Sequence, residues 1–253
     1  MTSHVRAPLP GLAPGEHALT GAVAHYLGRV LRLRAGDALT GFDPSSGHEA
    51  DVTIASTDEQ RGLGELTVHV RVGELRAGAA PETRAITFIQ GLAKGDKCDA
   101  VVRDATELAA TRFIVAIAKR SIVKLDAERA LSRQARWTRI AQEAARQCGR
   151  STVPEIDLPC AWEEALGRVS PDTARFCLYE RALEPLGPPL MRALMQGMPL
   201  AFAVGPEGGL DEAEALYAKN AGWDVVSLGR LTLRTETVAA SVLGAALVLG
   251  GTR

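Results

Sequence analysis

The sequence predicts an α/β protein in two parts, a compact β-rich amino-terminal unit followed by a larger unit built on a mostly parallel sheet. Three observations predict it. Residues 5–72 fall into short strand-like pieces parted by turn residues, whereas from Ala85 onward apolar runs alternate with helical stretches. Near the carboxyl terminus, two of those runs end in glycine-bearing loops that each lead into a helix.

Ala38–Phe42, Ala50–Ile54 and Leu66–Val72 read as the strands of a small β-barrel, with turns such as Asp43–Gly47 between them. A helical exception covers roughly Ala22–Leu31 and brings Arg29 close to Arg32 and Arg34. Gly73–Arg84, with Gly78, Pro81 and two alanines, reads as a linker. The boundaries expected are 1–73 for the first domain, 74–84 for the linker and 85–253 for the second. In that second part Ala85–Ala93, Phe113–Ala118, Ala174–Tyr179, Leu200–Val204 and Asp224–Leu228 are short apolar runs separated by helical stretches, the alternation of a mostly parallel sheet covered on both faces.

A helix is expected over Ala127–Cys148. At about 100° per residue, Trp137, Ile140, Ala141, Ala144, Ala145 and Cys148 share its apolar side, opposite Arg139, Glu143, Arg146 and Gln147. Lys119–Arg150 holds nine basic residues against three acidic ones, a balance of +6 in a chain whose net charge is -1, so the remainder carries -7. Charge this local favours contacts with phosphates over a uniformly basic coat. A solvated helix face is the alternative.

Pro199–Leu210 reads PLAFAVGPEGGL, a buried strand that breaks at Gly205 into a stiff, bare loop. Asp211 and Glu214 have the spacing of a capping box for the helix that follows. A second strand then ends at Gly229, and Arg234, Thr235 and Glu236 stand before a long helix rich in Ala, Leu and Val. In open α/β sheets, loops at the carboxyl ends of strands are where ligands bind. A plain strand-to-helix turn would also explain the glycines. Neither G-x-G-x-x-G after the first strand nor G-x-x-x-x-G-K-[ST] occurs, which argues against dinucleotides and nucleoside triphosphates. Cys98, Cys148, Cys160 and Cys177 form no Cys-x-x-Cys pair and lack histidines at zinc spacing, so reduced thiols and no metal are expected. The amino terminus has no apolar core of a signal peptide, and Val238–Gly250 is far shorter than the roughly 20 residues of a membrane span. A cytoplasmic protein is expected.

VGPEGGL, followed some twenty residues later by SLGRLTLRTET and a small-residue helix, resembles the end of the SPOUT methyltransferases, and within them the RsmE-type enzymes that methylate N3 of a uridine in 16S ribosomal RNA. HYLGRVLRLRAGD, KGDKCDAVVRDATELA and RWTRIAQEAARQCGRSTVPEI are similar to that family in order and spacing, so the resemblance covers nearly the whole chain. It implies a PUA-like RNA-binding barrel on a knotted α/β methyltransferase domain, a homodimer, and S-adenosylmethionine as cofactor. Three loops would surround that cofactor: Leu178, Tyr179 and Glu180; Val204, Gly205, Pro206, Glu207, Gly208 and Gly209; and Leu228, Gly229, Leu233 and Arg234.

Arg234 would stabilise charge developing on the uracil carbonyls, and Glu236 would accept the N3 proton or orient Arg234. An ordinary ion pair between the two is the plainer alternative. The family pattern LGxRILRTETA is broken here: Arg230 fills the variable position and Leu231 stands where arginine is usual. Candidate contacts to ribosomal RNA or the small subunit are Arg29, Arg32, Arg34, Lys94, Lys97, Arg120, Arg139, Arg146 and Arg150. Ribose 2′-O methylation and a non-catalytic role in ribosome assembly stay open as rivals.

Overall fold

The structure is a computed structural model that describes residues 5–59, 66–79, 84–122 and 125–250. Lys124 of the basic segment and Pro81 of the expected linker lie outside the described residues. Packing divides the chain into two compact units, one formed by Met1–Ala80 with Ala145–Val153, the other by Pro81–Ala144 with Pro154–Arg253.

The first unit contains β1 (Arg6–Pro8), β2 (Gly15–Leu19), α1 (Gly21–His25), β3 (Ala38–Phe42), β4 (His48–Glu59), β5 (Leu66–Val72) and β6 (Arg76–Ala77). Its strands run in the order β1-β3-β4-β5-β2, with β6 also on β4. β1 is parallel to β3 and the remaining pairs are antiparallel. Alternation decides the inner face. Val52 and Ile54 of β4 and Val68, Val70 and Val72 of β5 point into one core with Leu27 and Leu39, while Arg71 faces outward. The helix expected over Ala22–Leu31 is α1, which passes at Tyr26–Val30 into a π-helical turn. Arg32 then takes a left-handed conformation, φ 56°.

Ala145–Val153 joins this unit although it is distant in sequence. Ser151 donates to Glu49 Oε2 at 2.9 Å, and Arg6 and Arg76 each pair with the same carboxylate at 3.1 Å. Gly78 leaves the necessary room, since a Cβ there would lie 2.1 Å from Ser151 Oγ.

The second unit holds β7 (Ile86–Gly91), α2 (Lys97–Glu107), β8 (Arg112–Ile117), α3 (Ala127–Cys148), β9 (Glu155–Ile156), β10 (Cys160–Ala161) and α4 (Trp162–Gly167). There follow β11 (Ala174–Leu178), α5 (Gly187–Met195), β12 (Leu200–Val204), α6 (Glu212–Asn220), β13 (Asp224–Val226) and α7 (Thr235–Gly250). The sheet is parallel in the order β10-β8-β7-β12-β11-β13, with β9 on β8. Every residue of β12 is buried, as a central strand covered on both faces requires. Phe88 stacks on Phe113 with centroids 6.0 Å apart, and Phe176 meets Phe202 at 5.6 Å.

Some sequence expectations need correction. β13 stops at Val226, and Ser227 continues it only as a single parallel bridge to Pro185, donating to Glu184 O and accepting from Leu186 N–H. Thr235 and Glu236 lie inside the first turn of α7 and not before it. On α3, Trp137, Ala141, Ala144 and Ala145 are buried as the wheel requires, but Cys148 is exposed, its thiol turned back onto Ala145 O as the helix ends. Arg150 is only 7% exposed: the chain reverses at Gly149 (φ 85°) and Arg150 Nε donates to Thr152 Oγ1 at 3.2 Å. Burial lowers its pKa to about 10, and it is withdrawn as a surface RNA contact.

Candidate active site

β11, β12 and β13 are neighbours in the sheet and parallel, so their carboxyl ends deliver three loops to one edge. The loop after β12 is held by close packing. A Cβ on Gly205 would lie 2.9 Å from Leu210 Cγ, and one on Gly91, at the end of β7, would lie 2.4 Å from Pro206 N. At Gly91 the obstacle is the backbone of the loop itself, which cannot yield cheaply, so that position demands glycine, while Gly205 is crowded by the Leu210 side chain and by backbone at 3.0 Å. The turn closes with Gly209 N–H donating to Pro206 O at 2.9 Å, Gly209 itself at φ 70°.

Side chains then fasten this loop to its surroundings. Glu207 Oε1 accepts from Lys94 N–H at 2.9 Å and lies 3.2 Å from Lys97 Nζ. Burial pushes the Glu207 carboxyl up, but hydrogen bonds from backbone N–H groups and from Lys97 outweigh it and hold the group below the usual range. Arg120 Nη1 donates to Gly208 O at 2.9 Å. The capping box of α6 is present: Asp211 accepts from Ala213 N–H at 3.1 Å and Glu214 Oε2 from Asp211 N–H at 2.8 Å. Glu214 Oε1 also accepts from Lys119 N–H at 2.7 Å, tying the helix to the end of β8.

Together the loops enclose a cleft of about 620 Å³, within the range of small-molecule sites. Leu178, Tyr179 and Glu180 line it, as do Val204, Gly205, Pro206, Glu207, Gly208 and Gly209, and Leu228, Gly229, Leu233 and Arg234. Glu236 and Lys97 line it too. Among the described residues Arg234 and Glu236 form no ion pair; Arg234 is exposed, and Glu236 Oε2 is buried without a hydrogen-bond partner. Leu231, 81% exposed, lines the cleft, whereas Arg230 is not among the lining residues. Among the described residues, the peptide N–H groups of 228–233 find no acceptor.

Lining residues that escaped the sequence reading include Thr235, Arg181, Leu210, Ser227 and Val238. Thr235 is 6% exposed, its hydroxyl donating to Gly205 O at 2.9 Å and accepting from Gln90 Nε2 at 2.7 Å. The available signal was a lone glutamine at the end of the apolar strand ITFIQG. Of the other candidate RNA contacts, Arg29, Arg32, Arg34, Lys94, Arg120 and Arg139 are exposed. Arg146 is half-buried, its guanidinium 5.7 Å from the Tyr26 ring centroid.

A family model described as "RNA methyltransferase domain" matches residues 80–247, and one described as "RNA methyltransferase PUA domain" matches residues 19–66. Over 231 residues the chain is 31% identical to Ribosomal RNA small subunit methyltransferase E of Bacillus subtilis, covering 90% of this chain and 88% of that one. This chain belongs to the small-subunit methyltransferase E family. A family member from Neisseria gonorrhoeae, solved bound to S-adenosyl methionine, superposes with a TM-score of 0.86 at 29% identity, covering 98% of both chains. A Legionella pneumophila methyltransferase solved with the bound cofactor SAM gives 0.85 at 26% identity over the whole of both chains. The family thus shares the SPOUT-type α/β methyltransferase fold with a PUA-like amino-terminal domain.

Proposed function

We propose that this protein transfers the methyl group of S-adenosylmethionine to N3 of one uridine in the 16S RNA of the small ribosomal subunit. The observation that carries the reading is the convergence of three strand-end loops on a single cleft that Arg234 and Glu236 also line. Membership of the small-subunit methyltransferase E family supports the same substrate class.

The residues present fit the cofactor. Leu178, Val204, Leu228 and Val238 offer apolar walls, and the unspent peptide N–H groups of 228–233 suit a purine edge. The unpartnered Glu236 Oε2 adds negative charge to a cleft that would hold a sulfonium cation. When bound, S-adenosylmethionine supplies an electrophilic methyl group. The chain's own work is positioning, proton removal and charge stabilisation. N3 of uridine is a weakly acidic imide that must lose its proton; Glu236 Oε2 is the acceptor, and the Arg234 guanidinium steadies the charge that spreads onto the uracil carbonyls.

Mass spectrometry of 16S RNA from a strain lacking the protein tests this directly. The expected result is loss of one 3-methyluridine; a missing ribose methyl, or no missing methyl, overturns it. Arg234→Ala is expected to slow transfer about 10²–10³-fold while cofactor affinity stays within about tenfold, ~1.4 kcal/mol. Equal losses in both would move Arg234 into the cofactor site.

The domain roles follow the two units, the first, Met1–Ala80 with Ala145–Val153, gripping RNA and the second carrying out transfer. The protein works in the cytoplasm as a homodimer. Exposed Met191 and Met195 on α5 and Leu247, Val248 and Leu249 on α7 give the second unit apolar surface suited to a second copy. Light scattering is expected to return twice the 26.8 kDa chain mass; a single-chain mass at micromolar concentration refutes the dimer. Among the described residues, no helix is long and apolar enough to cross a membrane.

A further inference from the structure

Gln90 is the penultimate residue of β7 and is wholly buried. Its side-chain amide Nε2 donates toward Thr235 Oγ1 at 2.7 Å, Gly91 O at 2.9 Å and Gly205 O at 3.2 Å. The Thr235 hydroxyl, accepting from Gln90, passes its own hydrogen to Gly205 O at 2.9 Å. Gln90, Thr235 and the Gly205 carbonyl therefore close a ring of hydrogen bonds away from water. Because Pro206 has no N–H, the carbonyl is the one hydrogen-bonding group of the Gly205–Pro206 peptide, and this ring holds it. Thr235 sits between Arg234 and Glu236, so pinning Thr235 inward directs both flanking side chains toward the cleft they line.

Stability alone does not account for this residue. Gln90 Oε1 is buried with no partner, a cost that offsets part of what the Nε2 hydrogen bonds contribute and that an apolar side chain of the same size would avoid. We infer that Gln90 is a positioning residue for methyl transfer, which, through Thr235 and the Gly205 carbonyl, locks the first turn of α7 to the loop after β12 and sets where Arg234 and Glu236 stand. Gln90 itself lines no part of the cleft. The inference rests on the reading of the cleft as a methyl-transfer site.

The test uses the full chain carrying Gln90→Met, Thr235→Val, both together, or Thr235→Ser. Three quantities are read: the single-turnover rate of methyl transfer to small-subunit RNA, cofactor affinity by calorimetry, and hydrogen exchange of amides 238–241, the first of which bonds to Arg234 O at 3.0 Å. Gln90→Met and Thr235→Val are each expected to slow transfer about 10–100-fold, the cost of a small misplacement. Both should leave cofactor affinity within about threefold and speed exchange at the start of α7 about tenfold. The double variant should be no slower than the slower single one, because the two residues act as one unit. Thr235→Ser, which keeps the hydroxyl, should return to within about threefold of the unaltered rate. Additive slowing, unchanged exchange, or a Thr235→Ser variant as slow as Thr235→Val overturns the inference. Should Gln90→Met fail to fold, the Thr235 pair decides it. If the unaltered chain transfers no methyl, the proposed function fails, while the exchange data still report whether the ring holds α7.

Discussion

Glu236 Oε2 is an acceptor with no donor, buried at the start of a helix, and leaving such an atom unpaired costs about 1–3 kcal/mol. Under the proposed mechanism this is the atom that takes the N3 proton. Glu236→Gln is therefore expected to slow methyl transfer about 10²–10⁴-fold and to leave the melting temperature unchanged or higher, as thermal melts beside single-turnover rates will show. A lower melting temperature would mark Glu236 as structural. Asp157 presents the opposite case. Burial pushes its carboxyl up, but Arg112 at 2.8 Å and Arg168 at 2.6 Å outweigh this and hold it below the ordinary 3.8. A carboxyl lowered in the folded state lends stability above its unfolded pKa and loses it as pH falls through the folded value. Melts between pH 7 and pH 2 should accordingly show Asp157→Asn to be less stable at neutral pH, with a shallower fall below about pH 4. Parallel curves for the two proteins would exclude Asp157 from the acid limb.

What the sequence disclosed about the elements depended on how local the determining contacts are. Strand β12 and the capping box of α6 were legible because a continuous apolar run and an Asp-x-x-Glu spacing are local signals. The burial of Arg150 was not, since it follows from a reversal at Gly149 and from Ala145–Val153 packing with a unit that otherwise ends at Ala80. Nor did the glycine count reveal which glycines matter. Gly229 needs only its φ of 122°, with open space around it, whereas Gly91 faces the backbone of a loop more than a hundred residues away. Helix boundaries carried the same limit: Thr235 and Glu236 look like loop residues until Gln90 and Gly205 are seen to hold Thr235. Gly91→Ala is consequently expected to destabilise the protein by about 1–3 kcal/mol, the usual cost of forcing atoms into a packed site. It should also weaken cofactor binding at least tenfold, since the displaced Pro206 lines the cleft. Calorimetry and chemical denaturation check the two effects. Full cofactor affinity in a destabilised variant would separate the strand–loop contact from the site.

At the scale of the whole molecule, the question is how a chain of net charge -1 holds a polyanion. The basic segment Lys119–Arg150 supplies the charge, yet the structure shows that not all of it is available to RNA. Lys119 pairs with Asp211 at 3.2 Å, Arg129 with Asp126 at 3.5 Å, and Arg136 Nε donates to Asp99 at 2.8 Å, while Arg150 is buried. Arg139, exposed on α3, is left as a cation whose removal should be felt in the salt dependence alone. Each phosphate contact contributes about 0.7–0.9 to the slope of log affinity against log salt. Filter binding of small-subunit RNA over about 50–200 mM salt should therefore show Arg139→Ala lowering that slope by about one contact, with no change in melting temperature. Arg150→Ala should do the reverse, because it removes a buried side chain bonded to Thr152 and no surface charge: lower stability, unaltered slope. If Arg139→Ala leaves the slope intact, RNA does not run along this face of α3, and the exposed Arg29, Arg32 and Arg34 of the first unit become the place to look for its path.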